Sequence, residues 1–371
     1  RMLKAHPRLL AESVPFNLEA DSLNASILGL DAKPGTPEFD IFVKSVQSEM
    51  TVKAGQKCTA IRRIMVPENL MEDVQIALGQ RLGKTTIGNP QEEGVRMGSL
   101  ATKIQVDRVR ESVEKLAASQ EMVYGDLENF SVSGADKNAG AFFSPVLFRN
   151  DDPFNKTDVH NIEAFGPVST LMPYKTTEEA VELTALGKGS LVTSIVTADQ
   201  NIAKEFVVEA AHTNGRILVL DAKCAKESTG HGSPMPMLTH GGPGRAGGGE
   251  EMGGKRGILH YLQRTAIQGH PQTITAITKQ FQYGADTPEA NPHVFRQHFE
   301  ELKVGDTLAI SGKLDDEEYF LWNLKEPTYI MKMMAMGGPL LANDSCGEQK
   351  RKWMEGGVEV AQRFRFPCPY D

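Results

Sequence analysis

The chain has 371 residues, room for two or three domains, and its 40% hydrophobic and 24% charged content is that of a soluble globular protein. Forty basic against 48 acidic residues leave a net charge of −8, which argues against the basic face a nucleic-acid partner requires and favours a small-molecule substrate. No apolar run approaches the ~18 residues that span a membrane. No apolar stretch opens the chain as a signal peptide would. Four cysteines without a C-x-x-C pair predict reduced thiols in the cytoplasm, with neither a disulfide framework nor a metal site.

Thr36-Pro37 reads as a helix cap followed by proline at the first helical position. Phe39, Phe42, Val46 and Met50 then recur at helical spacing. Residues 60–66 (AIRRIMV) read as a strand. Leu70, Val74, Leu78 and Leu82 mark a second helix, Gly88-Asn89-Pro90 a loop, and Val106, Val109, Val113 and Leu116 a third helix. Residues 190–197 and 216–220 read as buried strands around a helix over 199–212, with Ile202, Phe206, Val207 and Ala210 on one face. Strands alternating with helices of this length predict an α/β fold. Residues 229–257 are rich in Gly and Pro and read as loop. Residues 258–267 read as a short helix and strand, residues 269–292 as a linker, and a last segment begins near His293.

The sequence KAGQKCTAIRR over 53–63 places Cys58 between a helix end and a strand, with Gly55 just before it. Lys53, Lys57, Arg62 and Arg63 put positive charge nearby, which predicts a favoured thiolate, the reactive form. A buried structural cysteine is the plain alternative. Cys224, in DAKCAKE, reads as an ordinary small residue. His231 and His240 in the Gly-rich stretch fit no metal-ligand spacing and read as surface or substrate-loop residues. The Gly-rich run lacks G-K-[ST], so it is not a phosphate-binding P-loop.

Four motifs in order carry a resemblance. G-Q-x-C before a strand, VPFNLEADSLN (14–24) with Glu19 lying 39 residues before Cys58, EAFGPV (163–168), and the Gly-rich 242–267 together resemble the aldehyde dehydrogenase superfamily. The segments AKESTGHGSP (225–234) and HGGPGRAGGGEE (240–251) are similar to the bifunctional ring-opening branch of phenylacetate degradation, in which an aldehyde dehydrogenase is fused to a hot-dog-fold hydratase.

The resemblance implies a catalytic region of mostly parallel sheet with helices over 1–268, a linker over 269–292, and a partial hot-dog-like (α+β) segment over 293–371. It implies Cys58 as the thiol nucleophile, Glu19 as the general base, Glu163 on the nicotinamide ribose and Phe165 near the ring. It also implies NADP or NAD as cofactor, a CoA-linked semialdehyde as substrate, and a homo-oligomer paired through a strand near Thr265. Without the motifs, Glu19 would read as solvated surface and Glu163 as a turn cap.

Two departures shape the expectation. Only 18 residues precede Glu19, with no dinucleotide-binding strand–turn–helix unit, so the chain reads as a fragment that binds NADP poorly by itself. No histidine follows His298, which predicts no hydratase activity. A catalytically incomplete protein serving only oligomer assembly is the competing reading, and a CoA-ester hydratase a third.

Overall fold

In the computed structural model, Thr36 begins its helix as its position demands: its side chain accepts from Phe39 N–H, and Pro37 opens the first turn. The structure describes residues 2–235, 238–252, 254–278, 282 and 284–285, with three short strands at 313–314, 317–320 and 331–334. Two compact units divide the chain, Arg1–Leu262 and Gln263–Asp371.

The first unit holds a seven-stranded sheet. Its strands are β1 (Asn24–Leu28), β2 (Ile61–Pro67), β3 (Glu121–Tyr124), β4 (Val146–Arg149), β5 (Val168–Tyr174), β6 (Ser190–Val196) and β7 (Asn214–Leu220). They lie in the order β3-β4-β5-β2-β1-β6-β7. Only the edge pair β3/β4 is antiparallel; β4/β5, β5/β2, β2/β1, β1/β6 and β6/β7 are parallel. The expected α/β class with a mostly parallel sheet is therefore the one observed.

The helices are α1 (Pro7–Ala11), α2 (Pro37–Thr51), α3 (Met71–Leu82), α4 (Lys103–Ala117), α5 (Thr177–Ala185), α6 (Gln200–Ala210) and α7 (Gly254–Tyr261). Phe42, Val46 and Met50 of α2 and Val74 and Leu78 of α3 bury against Leu28, Ile64 and Val66 on one face. Ala180 and Leu183 of α5 and Phe206 and Ala210 of α6 pack with Ile27, Met65 and Ile195 on the other. Val109, Val113 and Leu116 of α4 close a third cluster with Val146, Phe148 and Val168. Each such side chain removed from water contributes about 1.5–3 kcal/mol before its ordering cost.

Three expectations need correction. Residues 263–268 form no strand: α7 ends at Tyr261 and the chain continues without ladder partners among the described residues. A lone extended segment leaves its backbone groups unpaired, so the apolar spacing alone could not make one. The expected linker holds a helix, α8 (Pro271–Thr278), with proline at its first position. The Gly-rich stretch is loop, as expected, but packed loop: Ala246 and Gly247 are buried, and α7 begins inside it at Gly254.

In the second unit, β8 (Lys313–Leu314), β9 (Glu317–Phe320) and β10 (Met331–Met334) form an antiparallel strip in the order β10-β9-β8. The expected hydratase opening at 293–308 lies outside the described residues.

Candidate active site

Ligand sites in open parallel sheets usually lie at the carboxyl ends of the strands. Here the motif residues gather at the amino ends. Asn24 opens β1, Cys58 precedes β2, Glu163 and Phe165 precede β5, and Gly241 packs against Gly215 at the start of β7.

Cys58 sits in a turn after three consecutive left-handed residues, Lys53 (φ 53°), Ala54 (φ 52°) and Gly55 (φ 68°). At Gly55 a Cβ would lie 2.2 Å from the Gly166 carbonyl oxygen, so glycine is what lets the cysteine loop touch the E-A-F-G-P-V loop. Arg62 clasps the two: its guanidinium donates to Gly166 O at 2.5 Å and to Gly55 O at 2.6 Å, and it lies 5.5 Å from the Phe165 ring centroid. Asn24, fully buried, donates to Cys58 O at 2.7 Å and to Ala60 O at 3.0 Å, while its own oxygen accepts from Ser22 Oγ and Val192 N–H. The backbone carrying the thiol is thus fixed from two sides.

The nearby cations do not favour a thiolate. Lys57 is paired with Glu49 at 2.7 Å. Arg63 runs into the core, donating to Leu23 O, Leu183 O and Thr184 O and meeting His160 Nδ1 at 3.2 Å. Burial drives the Cys58 thiol up to about 12, and the nearby Glu19 and Glu251 carboxylates push the same way. The resting cysteine is a thiol, contrary to the sequence expectation, because proximity along the chain did not mean that the cations face the sulfur.

Glu19 reaches Cys58 from an exposed loop. The glycine stretch holds that loop: Ala20 N–H donates to Ala246 O, and Asn17 Nδ2 to Glu250 O at 2.8 Å. At Gly247 (φ 115°) a Cβ would come within 1.9 Å of Leu18 O. Arg245 anchors the same stretch to Asp21 Oδ1 at 2.7 Å and to the His160 and Asn161 carbonyls. His240 arrives with it: ligand atoms of Glu19, Cys58 and His240 all lie within 4.8 Å of one another. A cavity of about 280 Å³ lined by Leu18, Glu19, Gly249, Glu251 and Met252 opens beside the carboxylate.

Glu163 and Phe165 stand on the neighbouring loop. Burial raises the Glu163 carboxyl to about 7 against the pull of Arg62, and it accepts a long bond from Ser22 N–H at 3.5 Å. Sequence reasoning missed Arg62, Asn24, Arg245 and Glu251 as site residues. His231 is also corrected: it is buried, not on the surface, its Nδ1 meeting Ser194 Oγ at 2.9 Å. Burial and the nearby charges of Arg216 and Lys57 hold its imidazole down to about 3.

The aldehyde dehydrogenase family model matches residues 11–267. The chain belongs to the aldehyde dehydrogenase family. It is 44% identical over 241 residues to 3,4-dehydroadipyl-CoA semialdehyde dehydrogenase of Aromatoleum evansii (65% of this chain, 47% of that one). It is 48% identical over 213 residues to Protein MaoC of Klebsiella aerogenes (57% and 62%). It therefore spans about half to three fifths of those relatives.

Among solved structures, betaine aldehyde dehydrogenase of Staphylococcus aureus, in complex with NAD+, shares the fold at TM-score 0.57 and 24% identity, covering 67% of this chain and 46% of that one. An aldehyde dehydrogenase of Pseudomonas syringae, complexed with NAD+ and octanal, gives TM-score 0.53 at 25% identity, covering 67% and 46%. Among the described residues of this aldehyde dehydrogenase chain, no helix is long and apolar enough to cross a membrane.

Proposed function

We propose that this chain carries the aldehyde-oxidising site of a dehydrogenase acting on a CoA-linked semialdehyde, with Cys58 as nucleophile and Glu19 as base. The observation that carries the reading is the approach of the Cys58 thiol and the Glu19 carboxylate to within 4.8 Å, brought together from separate parts of the chain. Glu19 accepts the thiol proton as Cys58 Sγ bonds to the aldehyde carbon, giving a hemithioacetal. The Cys58 backbone N–H faces the oxyanion so formed.

Glu163 would hold NAD or NADP by its nicotinamide ribose, with Phe165 near the ring. A desolvated carboxylate with one long backbone bond retains acceptor capacity for a pair of ribose hydroxyls. When bound, the dinucleotide supplies the two-electron acceptor that turns the hemithioacetal into an acyl thioester. Glu19, having released the thiol proton to solvent, then takes a proton from water; the water oxygen adds to the acyl carbon, the C–S bond breaks, and the acid leaves as Glu19 returns that proton to the Cys58 sulfur.

A cavity of about 720 Å³ lies on the Glu49–Lys57 side of the site, lined by Ser48, Glu49, Ala222, Lys226, Gly230 and His231. Exposed Lys44 and Lys226 at its edge complement the phosphates of a CoA carrier, and the A. evansii relative's name supports that substrate class. Assembly as a homo-oligomer is part of the same reading, supported by exposed Ile258, Leu259, Tyr261 and Leu262.

The thiol–carboxylate half can be tested without dinucleotide. An activated ester such as 4-nitrophenyl acetate should acetylate Cys58, and the acetyl group should accumulate on that residue in Glu19→Gln, read by peptide mass spectrometry. Acetylation elsewhere, or none, would overturn the reading.

A further inference from the structure

The three side chains that meet in the site are also a mixed sulfur, nitrogen and oxygen donor set. We propose that Cys58, Glu19 and His240 bind a thiophilic divalent cation, zinc, which locks the resting enzyme. Tetrahedral zinc holds thiolate, imidazole and carboxylate donors at about 2.0–2.3 Å, which puts the donor atoms roughly 3.3–3.8 Å apart. The three found here are within 4.8 Å of one another, so closing on a cation asks for movements of about 1 Å. The exposed loop that carries Glu19 can supply them.

A second observation points the same way. His240 is 11% exposed, and its Nε2 meets Glu251 at 3.2 Å. Its Nδ1 is buried without a hydrogen-bond partner. A carboxylate on one imidazole nitrogen with the other nitrogen vacant is the arrangement that orients a histidine toward a metal. An unpartnered buried nitrogen otherwise carries a desolvation cost with nothing to offset it.

On binding, Cys58 releases its proton to solvent and a zinc–sulfur bond forms; Glu19 and neutral His240 bind by lone pairs, water takes the fourth position, and no electrons are transferred. The sulfur can then neither attack a carbonyl nor be alkylated or oxidised. The inhibitory consequence rests on Cys58 being the nucleophile proposed above; the binding itself does not.

Equilibrium dialysis of the metal-free protein against zinc chloride should give one ion per chain, with affinity falling about tenfold or more in His240→Ala and in Cys58→Ser. Cobalt(II) in place of zinc should show a thiolate-to-cobalt charge-transfer band that Cys58→Ser abolishes. Zinc should also slow alkylation of Cys58 by iodoacetamide in the unaltered protein, a readout that needs no variant to fold. No binding, binding unchanged in both variants, or an unchanged alkylation rate at saturating zinc would overturn the proposal. If zinc fails while 4-nitrophenyl acetate still acetylates Cys58, the metal site alone falls. If zinc binds and Cys58 is never acetylated, the site stands and the dehydrogenase reading falls.

Discussion

The two sides of the site are built differently. The Cys58 side is anchored in the interior: Arg62 and Asn24 are buried and spend hydrogen bonds on backbone carbonyls of the loops around the thiol, and Arg63 is buried below them on the carbonyls of Leu23, Leu183 and Thr184. The Glu19 side is a surface loop lying on glycines, secured by a partly exposed arginine and by the Ala20 N–H and Asn17 side-chain bonds to the glycine stretch. A nucleophile must hold one position while its base meets the thiol, a water and a departing acid in turn. The difference teaches that rigidity is placed under the sulfur and freedom under the carboxylate. Breaking the first side should therefore cost stability, and breaking the second should cost turnover.

Acid should produce the largest effect, and on the rigid side. His160, against Arg63, is held down to about 4, and His231, against Arg216 and Lys57, to about 3, both mainly by burial. Their folded-state values lie below the ordinary 6.5, so the unfolded chain takes up two protons that the folded one refuses. Stability is fully present above pH ~6.5 and falls as pH drops toward 4 and then 3, by several kcal/mol in all. Urea unfolding at neutral pH and near pH 5 measures it; a midpoint that does not move between the two would refute the buried-neutral assignment.

Arg62→Met comes next. It leaves the Gly55 and Gly166 carbonyls buried without their donors, and each charged hydrogen bond contributes about 1.5–3 kcal/mol. We expect a loss of about 3 kcal/mol by urea unfolding, with Cys58 acetylation slowed in whatever protein remains folded. A loss under about 1 kcal/mol would mean that water or a neighbour already satisfies those carbonyls.

Much of the scaffold was legible. α2, α3 and α4 announced themselves by spacing, and β6 by a continuous apolar run, because those elements bury one stripe or both faces; β7 was legible as a strand, but not as the buried one expected, since at the sheet edge Arg216, Ile217 and Leu218 are half-buried and Val219 is exposed. β1, β4 and β5 and helix α5 were not anticipated. NASIL begins with a polar residue whose burial is offset by the Cys58 and Ala60 carbonyls, Ser22 Oγ and Val192 N–H, VLFR has four residues, and VSTLMPY carries a proline. Cys58, Glu19, Glu163 and Phe165 were proposed from motif, not from physics. Arg62 looked like charge beside a thiol, because sequence distance does not say which way a side chain on a strand points. His240 looked like a surface residue because the meeting of 19, 58 and 240 exists only once the glycines have let the loops touch.

Those glycines give the third effect. In Gly247→Ala the new Cβ meets Leu18 O in a backbone with φ 115°, which side chains rarely adopt. Strain of this kind costs about 1–3 kcal/mol, and the exposed loop can relieve it by moving. The displacement falls on Glu19, so release of acetyl from Cys58 should slow more than acetylation does. No slowing of either step would count against a role for this contact in placing the base.

Arg245→Gln should cost least in stability. Its bond to Asp21 joins a side chain 14% exposed to one 30% exposed, so its loss is worth about 1 kcal/mol. Yet that bond helps Ala20 N–H and Asn17 tie the glycine stretch to the segment bearing Glu19, and the two to the His160 and Asn161 carbonyls hold the same stretch in place. The variant should unfold almost as the parent does, acetylate Cys58 at nearly the parent rate, and deacylate several-fold more slowly. Restoring the charge with Arg245→Lys should recover only part of that step, since a single ammonium cannot span all three acceptors. A variant that loses stability and acetylation together would show that the two sides are coupled, and that freedom under Glu19 is not separable from rigidity under Cys58.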